Sequence, residues 1–298
     1  MPAPSPCRVV PGALRAAACA LALAWSAAPA QTFDAAIEIA HDSNVTRAQL
    51  QDDIRADTYA GAHAGWTWHA RATDFDGIDA GIALRGAQYA RFTRLSYAAL
   101  DGTLSWQRKL GVGLTEPWIA AGATASVENY REDVRDGERI ELRIEAGRRW
   151  SEALDTSAGY VYDRRYARHH MPPLVPGIDG TVWNLKGNGG FARMGYALSE
   201  QWQADLGYAV RRGDVVSTTH RNLPIFLASD AIGISTAFGP DFFDYRLRGT
   251  TQTGAGILSY ALGDRASLNF TYAYALTRAT QDLEYRSHLV SASWAYRY

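Results

Sequence analysis

The chain is nearly without cysteine. Cys7 and Cys19 are its only two, and both lie within residues 1–30, so the remainder cannot be held by a disulfide framework. Beyond residue 30 there is also no apolar run near the ~20 residues that a membrane-spanning helix needs. Charge of one sign is not in excess either. The formal net charge is −1, which is too mild for a nucleic-acid-binding surface, and no nucleic-acid partner is expected. No metal-ligand spacing stands out. His169-His170 sits in a proline-rich stretch and reads as solvated. No phosphate loop or nucleotide fingerprint is present, since Gly187, Gly189 and Gly190 follow strand logic, so no cofactor is expected.

Residues 1–30 read as a secretory signal. Arg8 and Arg15 give the positive start, Ala16 to Trp25 is apolar, and Ala28-Pro29-Ala30 has the small-x-small form of a cleavage site. An uncleaved anchor, or a lipoprotein using Cys19, are the other readings. Cleavage leaves one domain, 31–298, and loss of Arg8 and Arg15 takes the formal charge from −1 to −3.

What the chain has instead is alternation. From His288 onward, Val290, Ala292, Trp294, Tyr296 and Tyr298 share one parity, while Leu289, Ser291, Ser293, Ala295 and Arg297 share the other. Around 139–150, Ile140, Leu142, Ile144 and Ala146 oppose Arg139, Glu141, Arg143, Glu145 and Arg149. A soluble core would accept that charged row only at a large desolvation cost, whereas a wet or ion-paired interior with lipid outside accepts it readily. Strands are expected near 32–42, 57–71, 77–91, 95–110, 117–130, 138–150, 154–167, 181–197, 201–212, 244–261, 265–278 and 283–298. Short polar or glycine-rich turns alternate with longer connections, and an even strand count puts both ends on one side. The pattern predicts an all-β, transmembrane, antiparallel up-and-down barrel of about 12 strands. Fourteen is the alternative if the segment 213–243 hides a hairpin; otherwise that segment is a constriction or plug. Within 181–197 the apolar parity changes from Trp183, Leu185 and Phe191 to Ala192, Met194 and Tyr196, which predicts a bulge or glycine kink at 187–190. Trp66, Trp68, Trp106, Trp118, Trp150, Trp202 and Trp294 with Tyr296 are expected in two aromatic girdles.

The closing strand, with Trp294, Tyr296 and Tyr298, resembles the end of Gram-negative outer-membrane β-barrels. The resemblance implies export to the outer membrane and recognition of those aromatics by the barrel assembly machinery. It also implies a bilayer with lipopolysaccharide as surroundings. Asp42-Ser43-Asn44-Val45 after a short alternating strand resembles the opening of porin-like barrels, and of the barrel portion of surface lipoprotein assembly modulators. The first implies a channel or transporter for small solutes, and the second an assembly, secretion-type or structural barrel with a sealed interior. His41-Asp42-Ser43-Asn44 also resembles the outer-membrane phospholipase A family, which would make His41 a general base and Ser43 a nucleophile.

Apart from that motif, no catalytic set is expected. The candidate site is the lumen wall: Arg139, Glu141, Arg143, Glu145, Asp163, Arg165, Asp205, Arg211, Arg246 and Arg248, together with Asp34, Glu38, His63, His69, Asp79, Arg85 and Asp101. Both signs occur, so strong selection for one ion sign is not implied. The row serves equally as a solute path or as an ion-paired filling. In the Asp-Ser-Asn run, side-chain-to-backbone bonds are expected to shape the first surface loop.

Overall fold

A computed structural model describes residues 30–298; the secretory signal expected over 1–30 lies outside the described residues, apart from Ala30. The strands are β1 (Ala30–Asp42), β2 (Asp57–Arg71), β3 (Asp76–Tyr89), β4 (Tyr97–Lys109), β5 (Trp118–Tyr130), β6 (Gly137–Arg149), β7 (Leu154–Ala167), β8 (Leu185–Ala197), β9 (Trp202–Thr219), β10 (Ala231–Ile234), β11 (Phe243–Ala261), β12 (Ala266–Ala279) and β13 (Leu283–Arg297). One short helix, α1 (Leu223–Ala228), precedes β10. Every pairing between these strands is antiparallel. β1 pairs with β13 and β9 pairs with β11, so twelve strands close into a ring and β10 attaches outside it to the upper part of β11. The segment 213–243 therefore adds one strand beyond the ring and no further hairpin to it.

The facing follows from parity. Ile39, Leu84, Ile144 and Leu206 are each more than half exposed on the outer surface, while the residues next to them turn inward. In water such a surface would aggregate; in a bilayer it is the solvated face. The closed ring meets the other demand of lipid, that every backbone N–H and C=O be paired within the protein.

Three of the five turn-end reversals share one device. Thr73, Ser151 and Ser199 each offer a side-chain oxygen to the backbone N–H groups two and three residues on, over distances of 3.0–3.3 Å. The hydroxyl thus satisfies donors that a tight reversal leaves unpaired. Gly263 has φ +117°, a backbone state that glycine adopts without strain.

Two expectations are corrected. β8 has no bulge: its register runs without a break against β7 from Leu154↔Tyr196 to Arg165↔Leu185, and against β9 from Gly187↔Gly213 to Ala197↔Gln203. Phe191 simply faces inward. The wall has room because β7 carries Gly159, where a Cβ would come within 2.6 Å of the Phe191 ring. The aromatic girdles are also not two of equal kind. All the tryptophans singled out above lie near the end that carries the short turns, where Trp202 packs on Tyr260 at 4.8 Å and Trp294 on Tyr296 at 6.1 Å. Trp118 faces the interior, lying against the bare backbone of Gly147.

Ile144 sits on the outer face of the apolar band. Ile144→Arg is expected to lower folding stability by ~2–4 kcal/mol, measured by denaturant titration in lipid vesicles. Ser293→Arg, on the inner face opposite Glu38, is expected to change it little.

Candidate functional site

The interior has two unlike walls. Across β1–β9 it carries polar and charged groups in pairs: Asp34 with His63 at 3.1 Å, His69 with Asp79 at 2.8 Å, Arg139 with Glu141 at 3.1 Å, Arg143 with Glu145 at 2.6 Å, and Arg211 with Asp163 at 2.8 Å. Asp205 accepts a bond from Gln203 at 3.0 Å. Glu38 lies against Gly61 of the next strand. Across β11–β13 the inward positions from Thr251 to Ala295 are mostly small or hydroxylated, with Ile257, Asn269 and Leu289 among the exceptions; Thr251 and Thr277 share a hydrogen bond of 2.8 Å, and Asn269 donates to Ser293 at 3.3 Å. Phe191 projects from the charged wall, with the guanidinium of Arg143 4.1 Å and that of Arg193 5.3 Å from its ring centre. Cation–π contact of this kind holds an aromatic ring on a polar wall.

A chain of ion pairs climbs this wall toward the loops. Arg85 bridges Asp101 at 2.8 Å and Glu128 at 3.1 Å, and Glu128 accepts Arg165 at 3.1 Å. Arg165 then donates to the backbone carbonyls of Trp183 and Arg135. Glu128 is only 5% exposed; two cations on its two oxygens satisfy a charge that would otherwise be costly to bury.

Above this chain, five connections pack into a cap. In 43–56 the Asp-Ser-Asn run organises the loop. Asp42 accepts from the Asn44 N–H at 2.9 Å, Asn44 Nδ2 donates to the carbonyls of Ala48 and Arg286, both at 2.9 Å, and the side chain of Arg47 closes on Asp42 at 2.7 Å. This loop reaches β9, where Thr218 N–H donates to the Thr46 carbonyl at 2.8 Å. Asp53 is bonded by Thr219 and His220. In 131–136, Arg135 pairs with Glu132 at 2.5 Å and Asp244 at 3.3 Å, and its guanidinium lies 4.1 Å from the Trp183 ring centre.

The connection 220–242 crosses the mouth. Asn222 caps α1 by accepting from the Ile225 N–H at 3.2 Å, with Pro224 in the first turn. Ile225 then buries against Tyr245 and Leu247 of β11. Further on, Thr236 donates its N–H and hydroxyl to Glu132 at 2.5 and 2.8 Å, and Phe238 and Phe242 pack on Phe92 and Leu95 beyond β3. β3 is five strands from β11 around the ring, so this segment spans the opening. Beneath it lies a chamber of 510 Å³ bordered by Arg47, Tyr130, Arg165, Trp183, Arg211 and Tyr285. The expected constriction is thus a cap with a chamber under it.

Two of the site residues expected from the sequence lie elsewhere. Arg246 is held in the loop layer by the carbonyls of Thr181 at 3.0 Å and Asn184 at 2.9 Å. Arg248 points outward and pairs with Asp230 at 3.1 Å. β11 has little apolar contrast between its faces, so its parity is set by the pairing with β9 and β12. Glu128, Arg135 and Arg193 were not singled out from the sequence, and Phe191 entered only as a sign of the bulge expected at 187–190. Glu128 alternates with Val127 and was within reach of the parity argument; Arg135 depends on tertiary packing alone. His41 and Ser43 are not joined. His41 Nδ1 pairs with Thr58 at 3.0 Å, and Ser43 Oγ accepts the backbone N–H of His288 at 2.8 Å, so no nucleophile–base hydrogen bond forms between them. Trp294 and Tyr296 face outward, and Tyr298 exchanges backbone hydrogen bonds with Phe33 at 2.8 and 2.9 Å.

No protein-family model matches the sequence, and no curated protein matches it. Among solved structures, an outer-membrane channel from Pseudomonas putida F1 superposes with a TM-score of 0.56 at 9% identity, over 91% of this chain and 97% of that one. The NanC porin gives 0.49 at 7% identity, over 88% of this chain and 98% of that one. The first of these shows that the chain has the fold of outer-membrane barrels.

Removing the Arg135 charge leaves Glu132 and Asp244 buried without their cation. Arg135→Met is expected to destabilise the cap locally by ~3–5 kcal/mol, read as faster hydrogen exchange in 131–136 and 235–242 while strand amides stay protected. Acid should act on the same contacts. Burial pushes the carboxyls of Glu132 and Asp53 upward. The Arg135 charge and the bonds from Arg135 and Thr236 outweigh this at Glu132, and the bonds from Thr219 and His220 outweigh it at Asp53, so both end below their ordinary values of 4.5 and 3.8. Their stabilisation of the cap is therefore complete above those values and is lost as pH falls below them. Hydrogen exchange of 220–242, corrected for intrinsic rate, should show opening near pH 3 and protection near pH 6.

Proposed function

We propose that this protein is a porin-like channel of the outer membrane for small polar solutes, entered through a cap that must move. The observation that carries the reading is the interior itself: a wall of fixed ion pairs faces a wall of hydroxyls, with a 510 Å³ chamber beneath the cap. Charged groups held by one another still orient a passing dipole, and the opposite wall offers weak, exchangeable hydrogen bonds. Because cations and anions alternate along the charged wall, discrimination between ion signs should be weak. The fold shared with an outer-membrane channel supports the location and the activity as a fold-level analogy.

A second reading has one observation in its favour. The buried Glu132–Arg135–Asp244 contact is well suited to a permanently sealed barrel with an assembly or structural role. Single-channel recording in planar bilayers separates the two. The intact protein is expected to show small or infrequent openings, and deletion of 221–242 to give a steady conductance several-fold larger with little ion preference. Silence from both proteins, each shown to be inserted, would reject the channel.

A further inference from the structure

On the outer surface, near the loop end, cations gather on one side of the barrel. Arg164, Lys186, Arg212, Arg248, Arg278 and Arg286 all face outward from β7, β8, β9, β11, β12 and β13. At the same height β1–β5 present His41, Thr58, Gln88, Ala98 and Asn129, so the charge is not a belt common to the whole rim. Arg212, Thr250 and Arg278 lie in one cross-strand row, since Thr250 is paired with each of the two arginines. Lys186, Arg212, Arg248, Thr250 and Arg278 border a shallow depression of 410 Å³.

Carboxylates neutralise only part of it. Asp230 pairs with Arg248 at 3.1 Å, and Glu284 is shared by Arg278 at 3.1 Å and Arg286 at 2.7 Å. Asp214 also borders the depression, but its carboxylate accepts the Lys186 backbone N–H at 2.9 Å. Among the described residues, Arg164, Lys186 and Arg212 form no ion pair, and neither does the nearby outward Glu138. Arg164 and Lys186 are moreover direct cross-strand partners. Like charges placed opposite one another destabilise a sheet. The Arg164 guanidinium lies 4.8 Å from the Tyr166 ring centre, but no carboxylate pairs with either cation.

Height identifies the ligand class. From Trp202, in the aromatic ring at the turn end, to Arg212 is ten residues of β9. At about 3.4 Å per residue and a tilt near 40°, that is roughly 25 Å along the membrane normal, the height of the apolar band of such barrels. The cations therefore stand where hydrocarbon gives way to headgroups. A basic pocket at that level suits an anionic lipid head, and guanidinium forks suit phosphate in particular.

We propose that Lys186 and Arg212, supported by Arg164 and Arg278, form a site for a phosphate on the headgroup of an outer-leaflet glycolipid. The site is independent of whether solute passes through the lumen. Its test is native mass spectrometry of the full-length mature protein in detergent, titrated with bis-phosphorylated lipid A, with the same lipid A after phosphatase treatment, and with inorganic phosphate. Lipid A is expected to form a saturable one-to-one complex. Lys186→Ala/Arg212→Ala should weaken it by roughly thirty-fold, each charge contributing about five-fold, while heat-modified gel mobility stays unchanged. Arg148→Ala, at the turn end, should bind as the wild type does. Equal binding of the dephosphorylated lipid, equal binding by the double variant, or occupancy by inorganic phosphate at the same concentration would each overturn the proposal.

Discussion

Closure of the backbone hydrogen-bond ladder is the constraint from which the rest follows. In hydrocarbon an unpaired N–H or C=O has no water to turn to, so the last strand must find the first. Here β13 pairs with β1 and β9 with β11, although α1 and β10 intervene between those two strands. Once the ring is closed, strand parity assigns each side chain to lipid or lumen, and register places the ionised groups side by side. Glu128 meets Arg85 and Arg165 only because β3, β5 and β7 present them at one level.

Cap and wall are one electrostatic unit. Arg165 belongs to β7, yet it donates to the carbonyl of Arg135 in the cap, and Arg135 in turn holds Glu132 and Asp244. Displacing the cap therefore exposes or unpairs buried charge instead of merely separating apolar surfaces. Such a closure is sensitive to proton concentration and to single substitutions, and it is stiffer than an apolar plug of the same size.

Much of the barrel was legible in the sequence because period-two alternation is strong wherever one face is aliphatic. β6 and β13 show it plainly, and the strand ranges and ring size follow. Legibility failed where the contrast was weak or local chemistry imitated another pattern. β11 has small residues on both faces, so Arg246 and Arg248 could not be assigned to a side without knowing its neighbours. Phe191 looked like evidence of a reversal at 187–190; it is an inward aromatic made tolerable by Arg143, Arg193 and the gap at Gly159. The cap network was invisible for a different reason. Arg135 and Asp244 are 109 residues apart, and no periodicity links loop residues brought together by packing.

The uneven placement of tryptophan gives the two rims different mechanical characters. Indole rings favour the narrow zone between tails and water and resist moving out of it in either direction. The rim bearing the short turns is therefore fastened at a set depth, like a flange. The opposite rim is held instead by the outward cations of β7–β13, whose long stems can follow the headgroups, so changes in bilayer thickness would be absorbed more readily there. The loops would ride up or down with the leaflet while the chain termini stay level with theirs.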